Sequence, residues 1–104
     1  MAWIYLTLAG LLEIVWAGAM KLSDGFTRPL PALITLVAMA ASFALLALAM
    51  RQLPLGTAYM IWTGIGAIGA FVVGVVWLGE GLSATRLIAA ALIVSGMALM
   101  KWAS

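Results

Sequence analysis

Long apolar runs alternate with short polar breaks along this chain. Residues 2–20 form the first run, interrupted only by Glu13; residues 30–50 form the second and 55–78 the third. The fourth covers 83–101, with Arg86 near its start. A helix needs roughly 20 apolar residues to cross the hydrocarbon core, and each run is about that long. Backbone in lipid must satisfy its own hydrogen bonds, so the runs read as helices. The expectation is an all-α integral membrane protein, with four transmembrane helices in one domain, 1–104.

The breaks carry turn chemistry. Lys21–Pro29 contains Asp24, Gly25 and Pro29. Arg51–Pro54 is short, and Pro54 suits a helix start. Gly79–Leu82 precedes Ser83, a good N-cap residue. Short connections make successive helices antiparallel neighbours. The first run has no basic start and carries a Glu at its centre, so it reads as a span rather than a cleaved leader.

Composition narrows the chemistry. Hydrophobic residues make up 67% of the chain and charged ones 8%, too few to cover the surface of a small water-soluble domain. The sequence holds neither Cys nor His, which removes disulfides, thiolate metal sites and His-based triads. Its three acids, Glu13, Asp24 and Glu80, are far apart, so no metal site and no cofactor are expected. The five basic residues form no stripe interleaved with aromatics, so no nucleic-acid partner is expected. No nucleophile–base pair suggests an enzyme.

"GIGAIG" at 64–69 matches the dinucleotide fingerprint G-x-G-x-x-G letter for letter. It lies inside the third apolar run, with no preceding strand and no acid about 20 residues further on, so the confirming context is missing. Small residues in a membrane helix instead allow close packing. Gly64, Gly66 and Gly69 are also candidate hinge positions, because clustered glycine weakens a helix.

Glu13 is the one ionisable residue well inside a run. A carboxylate at membrane depth is costly and functional by default: it is protonated, paired with a cation, or faces a polar cavity. The bland reading is a protonated Glu serving as an interhelical hydrogen bond. Ala9, Gly10, Trp16 and Ala17 share its helical face. Gly10 leaves space, and Trp16 adds an aromatic face and an N–H. Tyr59, Trp62, Gly66 and Gly69 follow helical spacing on the third run, while Ser42 and Met39 lie one turn apart on the second. Trp3, Trp77 and Trp102 lie at run ends and read as interfacial anchors. One carboxylate beside aromatic rings suits an organic cation. The same carboxyl can hold a proton instead, and that competition couples cation efflux to proton entry.

Four helices are too few to enclose such a cavity, so a homodimer is expected. Ala89, Ser95 and Gly96 are candidate contacts on the fourth run. Arg51 and Lys101 lie on the side of the termini, against Lys21, Arg28 and Arg86 on the other. So small a bias allows insertion both ways up and an antiparallel, dual-topology pair.

Four runs in about 100 residues, "LAGLLEIVWA" around Glu13, "KLSDGFTR" at 21–28 and "PLGTAYMIWTGIGAIG" at 54–69 together resemble the small multidrug resistance transporter family. The likeness covers essentially the whole chain. It implies a proton-coupled exporter in the bacterial-type inner membrane, working as an antiparallel dimer whose first-helix Glu serves both proton and substrate. "EIVWA" at 13–17, with Lys101, resembles the guanidinium exporter subtype. By that resemblance Glu13, Trp16, Ser42, Tyr59 and Trp62 are the binding residues. Guanidinium is planar, and a carboxylate accepts two of its N–H bonds side by side. Trp16 and Trp62 are then expected to donate their indole N–H groups to the carboxylates, with Ser42 accepting a further guanidinium N–H or orienting Glu13. The alternatives are a broad quaternary ammonium exporter and a non-transporting membrane assembly subunit.

Overall fold

The computed structural model describes residues 1–103. Four helices follow one another: α1 (Ala2–Leu22), α2 (Pro29–Ala49), α3 (Leu55–Trp77) and α4 (Ala84–Ala103). All four are long and apolar enough to cross a membrane. The first outruns the expected 2–20 by two residues, because Lys21 and Leu22 still fit the helix. Pro29 begins α2 because its fixed φ and missing N–H suit a first helical position. Ser83 Oγ accepts the Arg86 amide at 3.2 Å and so caps α4.

α1 lies between α2 and α3, which barely touch each other, while α4 packs on α3. Small residues make this order possible. The α1 stripe Ala2, Leu6, Ala9 and Gly10 is buried, and so is the α2 stripe Thr35, Ala38, Ser42, Leu46 and Ala49. Both repeat at three- and four-residue steps, the spacing of one helix face. On the other side of α1, Ile65 of α3 occupies the space that a side chain at Gly10 would need. In return, Glu13 and Ile14 of α1 occupy the spaces at Gly66 and Gly69. Met97 of α4 fills the space at Gly64.

The buried apolar cluster is Leu6, Ala9, Leu46, Ala49, Ala58, Ile61 and Trp62. It draws on the first half of α1, the end of α2 and the start of α3, so the core sits in the half nearest the termini. Glu13 lies one turn beyond it, on the same α1 stripe. No α4 residue is buried. Its ends are nonetheless held: the Arg86 guanidinium lies 5.2 Å from the Phe71 ring, and Lys101 Nζ lies 5.2 Å from the Trp3 ring. Arg86 also pairs with Glu80 at 3.3 Å and donates to the Gly81 carbonyl.

Ser23 organises the α1–α2 turn. Its hydroxyl donates to the Met20 carbonyl at 2.6 Å and accepts the Phe26 amide at 3.0 Å. Asp24, Gly25 and Phe26 all take positive φ there, a conformation that costs Phe more than Gly.

Candidate functional site

Three hydroxyls within the spans bond their own helix. Thr7 donates to the Trp3 carbonyl, Thr35 to Pro31 and Ser95 to Ala91, each at 2.8 Å. Such back-bonding satisfies a hydroxyl where no water is present. Ser42 behaves differently. From α2 it donates across to the Ala9 carbonyl of α1 at 2.6 Å, and its oxygen accepts the Trp62 indole N–H of α3 at 3.0 Å. One buried chain of bonds thus links three helices. In an α-helix the carbonyl of Ala9 is also the acceptor for the amide of Glu13. Ser42 therefore braces the helical turn that carries the acid, its one O–H donor given to Ala9 rather than to the carboxyl.

Replacing Ser42 with Ala is expected to leave the Trp62 N–H buried without its acceptor, at a cost of about 1–3 kcal/mol. Thermal unfolding with tryptophan fluorescence checks this: a lower midpoint together with a changed Trp62 environment is the expected result.

Aromatic rings extend from this brace. Trp16 meets Phe43 edge-on at 6.4 Å, Phe43 meets Trp62 at 5.8 Å, and Tyr59 lies 5.5 Å from Trp62. These four rings form a continuous strip across α1, α2 and α3. Trp62 is buried, whereas Tyr59 and Phe43 are 53% and 47% exposed. The open part of the strip thus offers ring faces to whatever lies against the chain.

Glu13 sits beside this strip. Its carboxyl lies against the Gly66 backbone, where a side chain would otherwise be. The Gly66 amide is near enough to act on the carboxyl electrostatically, but no group meets hydrogen-bond geometry at Oε1. Glu13 Oε1 and Trp16 Nε1 are the buried side-chain polar atoms without a hydrogen-bond partner among the described residues. Such atoms are rare in native structures, and each calls for an explanation. Here one is an acceptor and the other a donor, three residues apart and so about one helical turn from each other.

The expected site residues therefore divide. Glu13, Trp16, Ser42, Tyr59, Trp62 and Gly66 gather around one region, with Gly10 and Gly69 in the same α1–α3 contact. Gly64 faces α4 instead, and no ring or hydrogen-bond contact joins Met39 to the strip. The Trp62 N–H goes to Ser42, not to the carboxyl as expected, because the Ser42 oxygen stands between the helices and needs a donor. α3 runs unbroken from Leu55 to Trp77, since neighbouring side chains pack into its glycine positions. Phe43 was absent from the expected set. Its position next to Ser42, one helical turn after Met39, was the available signal, but a Phe in an apolar run looks the same whether it faces lipid or a site.

A groove of about 810 Å³ lies elsewhere, between α3 and α4. Gly64, Ala67, Leu92, Gly96 and Met97 are among its lining residues, and Tyr59 also reaches it. No group of three or more metal-ligating side chains occurs among the described residues.

A model of the family described as Small Multidrug Resistance protein matches residues 1–93. A guanidinium exporter of Yersinia pseudotuberculosis serotype I is 56% identical over 104 residues, 100% of each chain. Guanidinium exporters of Citrobacter freundii and Salmonella typhimurium are 54% identical over 101 residues, 97% of this chain and 96% of theirs.

Proposed function

The chain belongs to the small multidrug resistance family, and on that premise we propose that it is a proton-coupled exporter of guanidinium in which cation and proton compete for Glu13. As a member of that family it is a multi-pass protein of the bacterial-type inner membrane and a transporter rather than an enzyme. The observation that carries the proposal is the pair of buried, unpartnered atoms, Glu13 Oε1 and Trp16 Nε1, next to an aromatic strip. A carboxylate supplies charge and two acceptors for a donor-rich planar cation. The rings of Trp16, Phe43, Trp62 and Tyr59 supply faces for cation–π contact. Ser42 holds the turn in place. Each carboxyl that gives up its proton becomes a negative charge able to hold the arriving cation.

Two copies complete the reading. The chain is a slab with extents of 40 × 35 × 16 Å, little thicker than one helix layer, and cannot enclose a cation alone. A second copy against the open face would supply the missing wall and a second Glu13. The α3–α4 groove supports this, since Gly56 and Gly96 in its lining have open space beside them and allow another helix close approach. Gly96 lines this groove, and Ala89 lines a second, smaller one. With cations almost evenly divided between the two sides, we take the pair to be antiparallel.

The test is proton release from purified, weakly buffered protein. Guanidinium is expected to release protons and tetraethylammonium is not, because a quaternary ammonium has no N–H to offer. Release by both cations would move the assignment to broad quaternary ammonium export. Release by neither would remove the exchange mechanism and favour a non-transporting assembly subunit.

A further inference from the structure

Three insertions hold α1 against α3. Ile65 fills the space at Gly10, Ile14 that at Gly69, and Glu13 that at Gly66. Two of the three inserted groups are isoleucines. The third is an acid, and its carboxyl occupies the place that a Cβ on Gly66 would take. Packing alone does not call for an acid there, since an apolar side chain would fill the space without burying a polar atom.

The position treats the two forms of the carboxyl differently. Glu13 Oε1 is buried and has no hydrogen-bond partner. An ionised carboxylate held there would have Oε1 shut off from water, with the Gly66 backbone amide near it but outside hydrogen-bond geometry at that atom, which is costly for a charge. A neutral acid loses far less. The groups able to receive an ionised carboxylate with its cation are the buried, unpartnered N–H of Trp16, one turn along α1, and the exposed rings of Phe43 and Tyr59.

Resting on the reading of Glu13 as the shared site, we propose that Gly66 is a positioning residue whose missing side chain makes a dry seat for the neutral form of Glu13. The ionised form leaves the seat and meets the cation at the aromatic strip. Proton and cation are thus held at two positions of one side chain, which cannot occupy both. As the carboxyl swings out, its proton passes to water and the monovalent cation replaces it. The nearest atoms to a Cβ at position 66 are Oε1, Cδ and Cγ of Glu13, a flexible side chain, so Ala there is expected to displace the carboxyl rather than backbone.

The experiment is calorimetric guanidinium binding across a pH series on the full chain, comparing wild type, Gly66→Ala and Ile65→Val. In wild type one competing proton lowers the affinity about tenfold for each pH unit on the acid side. Gly66→Ala is expected to keep the affinity at high pH and to lose at least about tenfold of that acid-side decline. Ile65→Val loosens the same helix contact without touching the carboxyl, and is expected to lower the melting temperature while keeping the wild-type pH profile. A wild-type profile in Gly66→Ala, or an equal change in Ile65→Val, would overturn the seat and leave the shared site standing. A wild-type protein that binds guanidinium independently of pH would overturn both. Infrared difference spectra of wild type need no folded Gly66 variant. The carbonyl band of neutral Glu13, identified by its loss in Glu13→Gln, is expected where an acid without a hydrogen bond absorbs. A band at the position of a hydrogen-bonded acid would contradict the seat.

Discussion

Glu13→Gln is expected to weaken guanidinium binding more than about a hundredfold, the loss of roughly 3 kcal/mol of charge-assisted hydrogen bonding. Guanidinium-dependent proton release is expected to vanish with it. Gln matches Glu in shape and carries no proton to exchange, so the change separates the chemistry of the site from its packing. The fold is expected to tolerate it, because Oε1 beside Gly66 is buried and a neutral group costs less there than a charge. Binding and proton release measured on the same folded preparation provide the check. Unaltered binding in Glu13→Gln would mean that the cation is held elsewhere.

The second large effect falls on Trp62. Trp62→Ala removes the ring that touches both Phe43 and Tyr59 and empties part of the buried cluster. A core truncation of that size costs about 3–5 kcal/mol. Trp62→Phe keeps most of the ring and removes only the N–H that Ser42 accepts, at about 1–2 kcal/mol. Equilibrium unfolding in detergent is expected to rank wild type above Trp62→Phe and both above Trp62→Ala. Because Trp62 braces the acid and also carries the strip, Trp62→Ala is expected to lose cation binding too. An equal effect of Phe and Ala would mean that the hydrogen bond, not the ring, carries the weight.

Much of this was legible in the sequence, and for a physical reason. Lipid demands unbroken apolar runs, so a few charged residues and prolines mark where each helix must stop. The same scarcity made Glu13 conspicuous, and helical spacing placed Trp16 on its face and Tyr59 with Trp62. Contacts between helices were harder to read, because they depend on which faces meet. Ser42 could be recognised as an intramembrane hydroxyl, but its bonds to Ala9 and Trp62 required the packing of three helices. Phe43 could not be told from a lipid-facing residue until its ring was found between two tryptophans. The glycines of "GIGAIG" suggested a hinge; in the folded chain Met97, Glu13 and Ile14 occupy three of their positions, and the helix is continuous. Glycine leaves the same mark in a sequence whether it permits bending or close approach.

The most direct test of the central claim is guanidinium movement in proteoliposomes under an imposed pH gradient. With an acidic lumen and equal guanidinium on both sides, the account predicts that guanidinium accumulates inside as protons leave, and that Glu13→Gln does not accumulate it. Guanidinium that stays at equal concentration on both sides in the wild-type vesicles, whatever the pH gradient, would contradict proton-coupled exchange.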